Sequence, residues 1–515
     1  MTGPRDSTVL AILASLAFAA PSPGALVCGT CHPRETAAYL ASPMGQSLGP
    51  PSAVPAGRVV HARSESTVTI EQRGNEMVHR LSERGLTAEY PIAYQIGAGR
   101  LAYSYIVELK GYLFESPATW FRSYGWDVSP GYGPAAAIDF DRPINQTCLY
   151  CHAGTVSFAG RDGRRLATPS LTAITCERCH GPFENHVRRP AAANILNPEK
   201  LPPRARDSIC EQCHLEGEVR MLNPGKSWRD FHPGENLERT IAVYVLHQNG
   251  HEVTAVSQVE QLAQSRCAAA SGGKLWCGSC HDPHGARAVR AVCQSCHPSL
   301  SKASHPAAAS DCVSCHMPRV STNYAHVAVT DHRILRRPAP TNAEDGLKSL
   351  VSWVEPPAEV RRRNLVLANL TAGTKQRMPD LIRAGLELLN AVPRSQYDND
   401  PDLLSAACEA TDTVALCSRA AEVQPASADR AMALGVALAR TGDLAAAEAQ
   451  LRNAIRLDPG LKHAYVELWT LYDRQKRAAE MVEVADRFLK WNPQNIMFRV
   501  LKAEIAAESP RPRFW

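Results

Sequence analysis

At 515 residues, with 44% hydrophobic and 21% charged content, the chain is long enough for more than one core and too apolar to be disordered. Its formal charge of +5 gives no ground for a nucleic-acid or membrane-surface partner. Apart from Val9–Ala20, no apolar run approaches the roughly 20 residues that a bilayer-spanning helix demands.

In chain order, Arg5, the apolar run and Ala17-Phe18-Ala19 read as a cleaved secretory signal over residues 1–25. This predicts an exported, periplasmic protein with no transmembrane segment in the mature chain. A long domain follows at 26–335, interrupted by a β-rich insertion at 58–116. Within it, Val68–Gln72 and Met77–Leu81 flank a turn at Arg73–Asn75, and Tyr103–Leu109 and Tyr112–Phe114 flank Lys110-Gly111. Strand-like alternation around these turns predicts two hairpins. Trp120, Trp126 and Tyr132 then fall among glycines and prolines, which predicts a packed loop.

From Cys148 to His332 the sequence predicts short helices joined by loops. Residues 336–355 read as a linker, and 356–510 as helical repeats. Leu434, Gly435, Gly442, Ala447, Leu451, Ala454 and Pro459 fit one tetratricopeptide unit, and Pro425, Pro459 and Pro493 recur every 34 residues. Cys408 and Cys417 fall in this region as either a disulfide or two thiols. The fold class expected from all this is mainly α: a domain with little regular structure and a β-hairpin-containing insertion, followed by a TPR-like α-solenoid.

Fourteen of the 17 cysteines obey one pattern, C-x-x-C-H, repeated seven times. The pairs are Cys28 and Cys31, Cys148 and Cys151, Cys176 and Cys179, Cys210 and Cys213, Cys277 and Cys280, Cys293 and Cys296, and Cys312 and Cys315. The histidines that close them are His32, His152, His180, His214, His281, His297 and His316. Cysteines three apart share one face of a helical turn, where their sulfurs can add to the two vinyl groups of a porphyrin. The next histidine then ligates the iron. A zinc site or redox dithiol would not require that histidine seven times over. The motifs therefore predict seven covalently bound c-type haems. Successive first cysteines from Cys148 onward are 28, 34, 67, 16 and 19 residues apart, so neighbouring haems should nearly touch. Haem propionates would also cancel the positive charge of the bare chain.

Sixth ligands must come from the remaining histidines. His186 and His284 lie closest after attachment helices and are the leading candidates. His326, His332 and His305 follow the last two motifs, with Asp331 placed to orient His332. His61, His79 and His251 are weaker candidates in β-like segments, and His463 is a surface residue. Met44, twelve residues after His32, is either a thioether ligand or a core methionine. Cys267, outside every motif, has no assigned role.

Through Cys176–His186 (CERCHGPFENH), Glu260–Cys267, Cys277–His284 and Cys312–Pro318, the first two-thirds resembles periplasmic multihaem cytochromes c with cytochrome c-554-like and doubled C-x-x-C-H domains. The tail resembles the tetratricopeptide repeats often fused to them. The resemblance implies electron transfer by bis-histidine haems, sometimes with a five-coordinate one. The wider group includes reductases and oxidases of small nitrogen and sulfur compounds. No C-x-x-C-Lys motif is present, unlike the pentahaem nitrite reductases, and Met44 stands where related chains tend to carry a histidine. The expected function is an electron relay whose repeat domain docks a redox partner. The alternative is an oxidoreductase with one open iron site.

Overall fold

Alternation from Val59 onward builds far more sheet than two hairpins. The computed structural model describes residues 27–159, 164–168, 171–246, 253–285, 287–298, 311–336 and 349–506. Its largest element is a 12-stranded antiparallel sheet. Gly57–His61, Ser66–Arg73, Glu76–Glu83, Leu86–Ile96 and Ala102–Leu109 pair in sequence order. Ala102–Leu109 then pairs with both Tyr112–Glu115 and Ala118–Phe121, and the latter pairs with Gly125–Val128. Trp126 Nε1 donates to the Pro55 carbonyl at 2.8 Å, bringing this last strand back beside the first. Gly57 permits that approach, since a Cβ there would meet the Trp126 ring at 2.0 Å.

The expectation of a mainly α fold is thus corrected. Beside the large sheet stand a three-stranded and a two-stranded sheet. Both expected hairpins are present, the second turning through Lys110 and Gly111 at φ of 54° and 85°. The sheet runs beyond them because the four-residue strands Ala118–Phe121 and Gly125–Val128 pair there rather than looping. Val68, Leu81, Tyr90 and Tyr105 are buried against one another in its interior.

The described part of the region from Cys148 to His332 alternates short helices with short strands, and six of its nine α-helices carry an attachment motif. Asn145 caps Gln146–His152 by accepting from the Thr147 and Cys148 amides, and Asp311 caps Cys312–His316 through the Val313 amide. These caps hold turns too short to be stable alone.

Helical hairpins fill the tail: Ala358–Gln376 with Pro379–Asn390, Pro401–Thr411 with Val414–Val423, Ala428–Thr441 with Leu444–Leu457, and Lys462–Arg474 with Ala478–Trp491. Pro425, Pro459 and Pro493 fall between hairpins, where a missing amide costs nothing. A Cβ on Gly435 would meet the Leu451 side chain at 2.8 Å, so a small residue sets that helix crossing. Cys408 and Cys417 form a disulfide.

The tail is held at both ends. Its first helix covers the sheet formed by Val219–Leu222, Ile241–Leu246 and Leu350–Ser352, and Asn364 Nδ2 donates to Asn223 Oδ1 at 2.7 Å. Its far end lies on the large sheet, where Trp491 meets Tyr112 and Phe114 edge-on with ring centroids 5.8 Å apart. Each such aromatic contact adds about 1 kcal/mol beyond burial.

Candidate haem-attachment and ligand sites

Several motifs bring a cysteine beside one of a neighbouring motif. The thiol of Cys28 lies close enough to that of Cys176 for each to perturb the other's ionisation. The same holds for Cys151 and Cys213 and for Cys210 and Cys277, and Cys312 perturbs Cys293 in the same way. The helix Pro203–His214 is the hub: Cys213 faces the second and third motifs, while Cys210 faces the fifth. Backbone contacts tighten it. Cys151 Sγ reaches the Gln212 carbonyl at 3.9 Å, Gln212 Nε2 donates to the Arg178 carbonyl at 3.0 Å, and Arg178 donates to the Tyr150 carbonyl at 3.0 Å.

Three of the motif histidines meet another histidine at a recurring separation. His32 and His186 have ring centroids 6.3 Å apart with planes 19° from parallel. For His180 and His284 the values are 5.8 Å and 32°, and for His281 and His332 they are 6.1 Å and 26°. Direct stacking would bring rings closer, as Tyr124 and His326 show at 3.9 Å. A metal bonded to an imidazole nitrogen on each side, at about 2 Å, sets ring centroids about 6 Å apart.

The other ring nitrogen is tied down in most of these histidines. His186 Nδ1 lies 3.0 Å from the Ala191 carbonyl, His332 Nδ1 2.8 Å from that of Thr330, and His284 Nδ1 3.5 Å from the Asp282 carboxylate. Among motif histidines, His180 Nδ1 is 2.8 Å from the Leu196 carbonyl and His316 Nδ1 is 2.9 Å from that of Leu335. A carbonyl accepts only from a protonated Nδ1, which leaves Nε2 with the lone pair a metal needs. Burial is the main cause that lowers the pKa of His180, His281 and His332, and a nearby imidazole adds to it. These rings are therefore neutral at pH 7.

The other sequence candidates lie elsewhere. His326 gives Nε2 to Asp127 at 2.6 Å. Asp331, expected to orient His332, is taken up by Arg333, whose Nε and guanidinium amine lie within 3.0 Å of it. Met44 lies in the loop between Pro33–Leu40 and Leu48–Gly49, where Ser47 Oγ donates to the His152 carbonyl at 2.7 Å. His61 contacts Ser64 and the Gly133 carbonyl, and His79 is enclosed by the sheet beside Ser116. His463 pairs with Glu467 at 3.0 Å. His305 and His251 lie outside the described residues, as does the expected signal segment. Cys267 is an exposed thiol.

With this geometry in place, comparison with known proteins adds one family. Residues 134–181, which contain the second and third motifs, match cytochrome c554 and c-prime. No curated protein matches the chain. Among solved structures, two of MamA are similar at 18% and 19% identity, covering 26% and 28% of this chain and 83% and 81% of theirs, with TM-scores of 0.23 and 0.24. TTC0263, a thermophilic TPR protein of Thermus thermophilus, is 18% identical over 29% of this chain and 93% of its own, with a TM-score of 0.20.

The family match suggests covalent c-type haem, and the residues present fit such a group. Among the described residues no three His, Cys, Asp or Glu side chains converge as a bare metal ion would require; the histidines come in facing twos, as axial ligands do. Arg178 and Arg220 each bury an Nε that finds no acceptor within the protein, close to Cys213. The propionates of a haem are the acceptors such guanidiniums lack. Sequence reasoning missed these two arginines and the anchoring carbonyls of Ala191, Leu196, Thr330 and Leu335. A backbone carbonyl carries no residue signature, whereas the position of Arg178 inside a motif is a signal that could have found it.

Proposed function

We propose that the chain is an exported heptahaem c-type cytochrome that passes electrons between partner proteins. The observation that carries this is the set of three facing histidine pairs, each at about 6 Å, beside C-x-x-C-H cysteines. In this reading the 14 motif cysteines form thioethers, and the seven motif histidines supply one axial nitrogen each. His186, His284 and His332 supply second axial nitrogens, while Arg178 and Arg220 balance propionate charge. Haem held this way supplies a one-electron iron couple at each site. The proximity of motif cysteines on either side of the helix Pro203–His214 supports passage of electrons between sites.

Export is supported by the signal-like N-terminus and by the Cys408–Cys417 disulfide, which suits an oxidising compartment. Docking of a redox partner falls to the repeat tail in this reading. A groove lined by Glu422, Gln424, Pro425, Leu434, Gln450 and Asn453 supports it.

The test is to express the full chain with haem-attachment machinery and an export signal, then record its intact mass and the EPR spectrum of the oxidised form. Seven covalent haems, all low-spin, are expected. A protein that carries no covalent haem overturns the proposal. A high-spin ferric signal would instead favour a small-molecule oxidoreductase.

A further inference from the structure

Each facing pair joins a motif to a segment far along the chain, and the three pairs follow one rule. His186, which faces the first motif's His32, follows the third motif by six residues. His284, which faces the third motif's His180, follows the fifth motif by three. His332, which faces the fifth motif's His281, follows the seventh by sixteen. From this stagger we infer that the first, third, fifth and seventh attachment sites form one interlocked series, in which the sixth ligand of the first, third and fifth haems is carried by the segment of the next odd-numbered site. The inference rests on the haem reading above and assigns to it which histidine serves which site.

Local geometry enforces the stagger most clearly at the fifth motif. His281 and His284 are separated only by Asp282 and Pro283 on a tight turn closed by a bridge between Asp282 and Gly285. Asp282 Oδ1 accepts from the His284 amide at 2.9 Å and lies 3.5 Å from His284 Nδ1. One carboxylate therefore fixes both the backbone and the ring of His284. On this turn the two imidazoles diverge: His281 meets His332, while His284 meets His180. His284 is thus nearest in sequence to a haem that it does not ligate. The same division holds at the third motif, where His180 and His186 serve different sites, and their Nδ1 atoms are held by different carbonyls, those of Leu196 and Ala191.

Two consequences separate this arrangement from local ligation. A substitution at His284 acts on the third site, and one at His332 acts on the fifth. Each site is also completed only when a segment synthesised much later has folded against it, so the series closes from the N-terminal end, one odd site behind attachment.

The test uses the full-length haem-loaded protein. H284A should convert one low-spin ferric haem to high-spin in the EPR spectrum. In a C176A/C179A background, which should lack one haem by mass, H284A should add no high-spin signal. If the new signal persists in that background, the pairing is overturned. Should the combined variant not accumulate, H284M serves instead: a thioether ligand keeps the haem low-spin and raises its potential. The single haem shifted by H284M should differ from that shifted by H332M, and the same haem moving in both variants would also overturn the series. A wild-type protein without covalent haem would sink the haem reading itself, which the mass spectrum shows before any variant is made.

Discussion

Lys462 Nζ lies 2.9 Å from Asp141 Oδ2 and 3.4 Å from Asp139 Oδ2, pinning the repeat tail to the loop that leads from the large sheet into the second attachment motif. Around this contact, Gln494 Nε2 donates to the Glu89 carbonyl at 2.7 Å, Arg499 to that of Thr87 at 2.8 Å, and Lys110 Nζ to that of Lys490 at 3.0 Å. The tail is therefore a brace spanning the sheet and the motif-bearing region, rather than an arm on a free linker. Burial alone would push the Lys462 amine down; the two carboxylates outweigh it and hold the amine charged above its ordinary range.

Lys462→Met tests the brace. Asp139 is 6% exposed and would be left without its cation. Removing one partner of a buried pair costs about 3–5 kcal/mol, so the urea midpoint should fall sharply. The haem content should not change. A variant as stable as wild type would show that this contact holds nothing together.

Glu115 offers a pH test. Burial pushes its carboxyl up to about 6, against the pull of Arg142 at 3.2 Å. The folded value thus lies above the unfolded one of about 4.3, so the fold favours the protonated form. Its contribution is fully present below about pH 4 and is lost as pH rises through about 6, a change of about 2 kcal/mol. Glu115→Gln should remove that loss. Urea unfolding of both proteins at pH 4.5 and pH 7 should show a smaller drop for the variant; equal drops would place the effect elsewhere.

How much was legible in the sequence follows from how local each feature is. Haem attachment is covalent chemistry confined to five residues, so spacing alone located the motifs. Histidine pairing is set by packing: His284 sits three residues from His281 in sequence and meets His180 in space. The sheet was underestimated because Ala118–Phe121 and Gly125–Val128 are four residues each, in a stretch whose glycines and prolines read as loop. Ala118–Phe121 becomes a strand because Ala102–Leu109 offers it a partner edge beyond its own hairpin, and Gly125–Val128 pairs in turn with Ala118–Phe121. The tail was more legible, since prolines every 34 residues mark the gaps between hairpins directly.

Thiol counting tests haem occupancy without spectroscopy. Seven filled motifs and the Cys408–Cys417 disulfide leave one free cysteine, Cys267, which is exposed. The haem-loaded protein, unfolded in denaturant, should take up one alkyl group without reductant and three after reduction. Uptake of two further groups for each empty motif would show incomplete attachment.

His326 provides the last test, because the structure gives it a different role from the histidines that face motif imidazoles. Its backbone is left-handed at φ 61°, its ring stacks on Tyr124 at 3.9 Å, and Phe121 meets it edge-on at 5.2 Å. Ser123 Oγ donates to its carbonyl at 3.1 Å, and Nε2, the nitrogen a metal would need, is 2.6 Å from Asp127. These contacts clamp the loop after the seventh motif onto the last hairpin of the large sheet. His326→Ala should leave every low-spin haem signal in place, while costing about 1–2 kcal/mol through the lost ring contacts and hydrogen bond. Hydrogen exchange should quicken at residues 322–328, and Asp127→Asn should reproduce part of that change. A high-spin haem appearing in His326→Ala would make this histidine a ligand and remove the clamp.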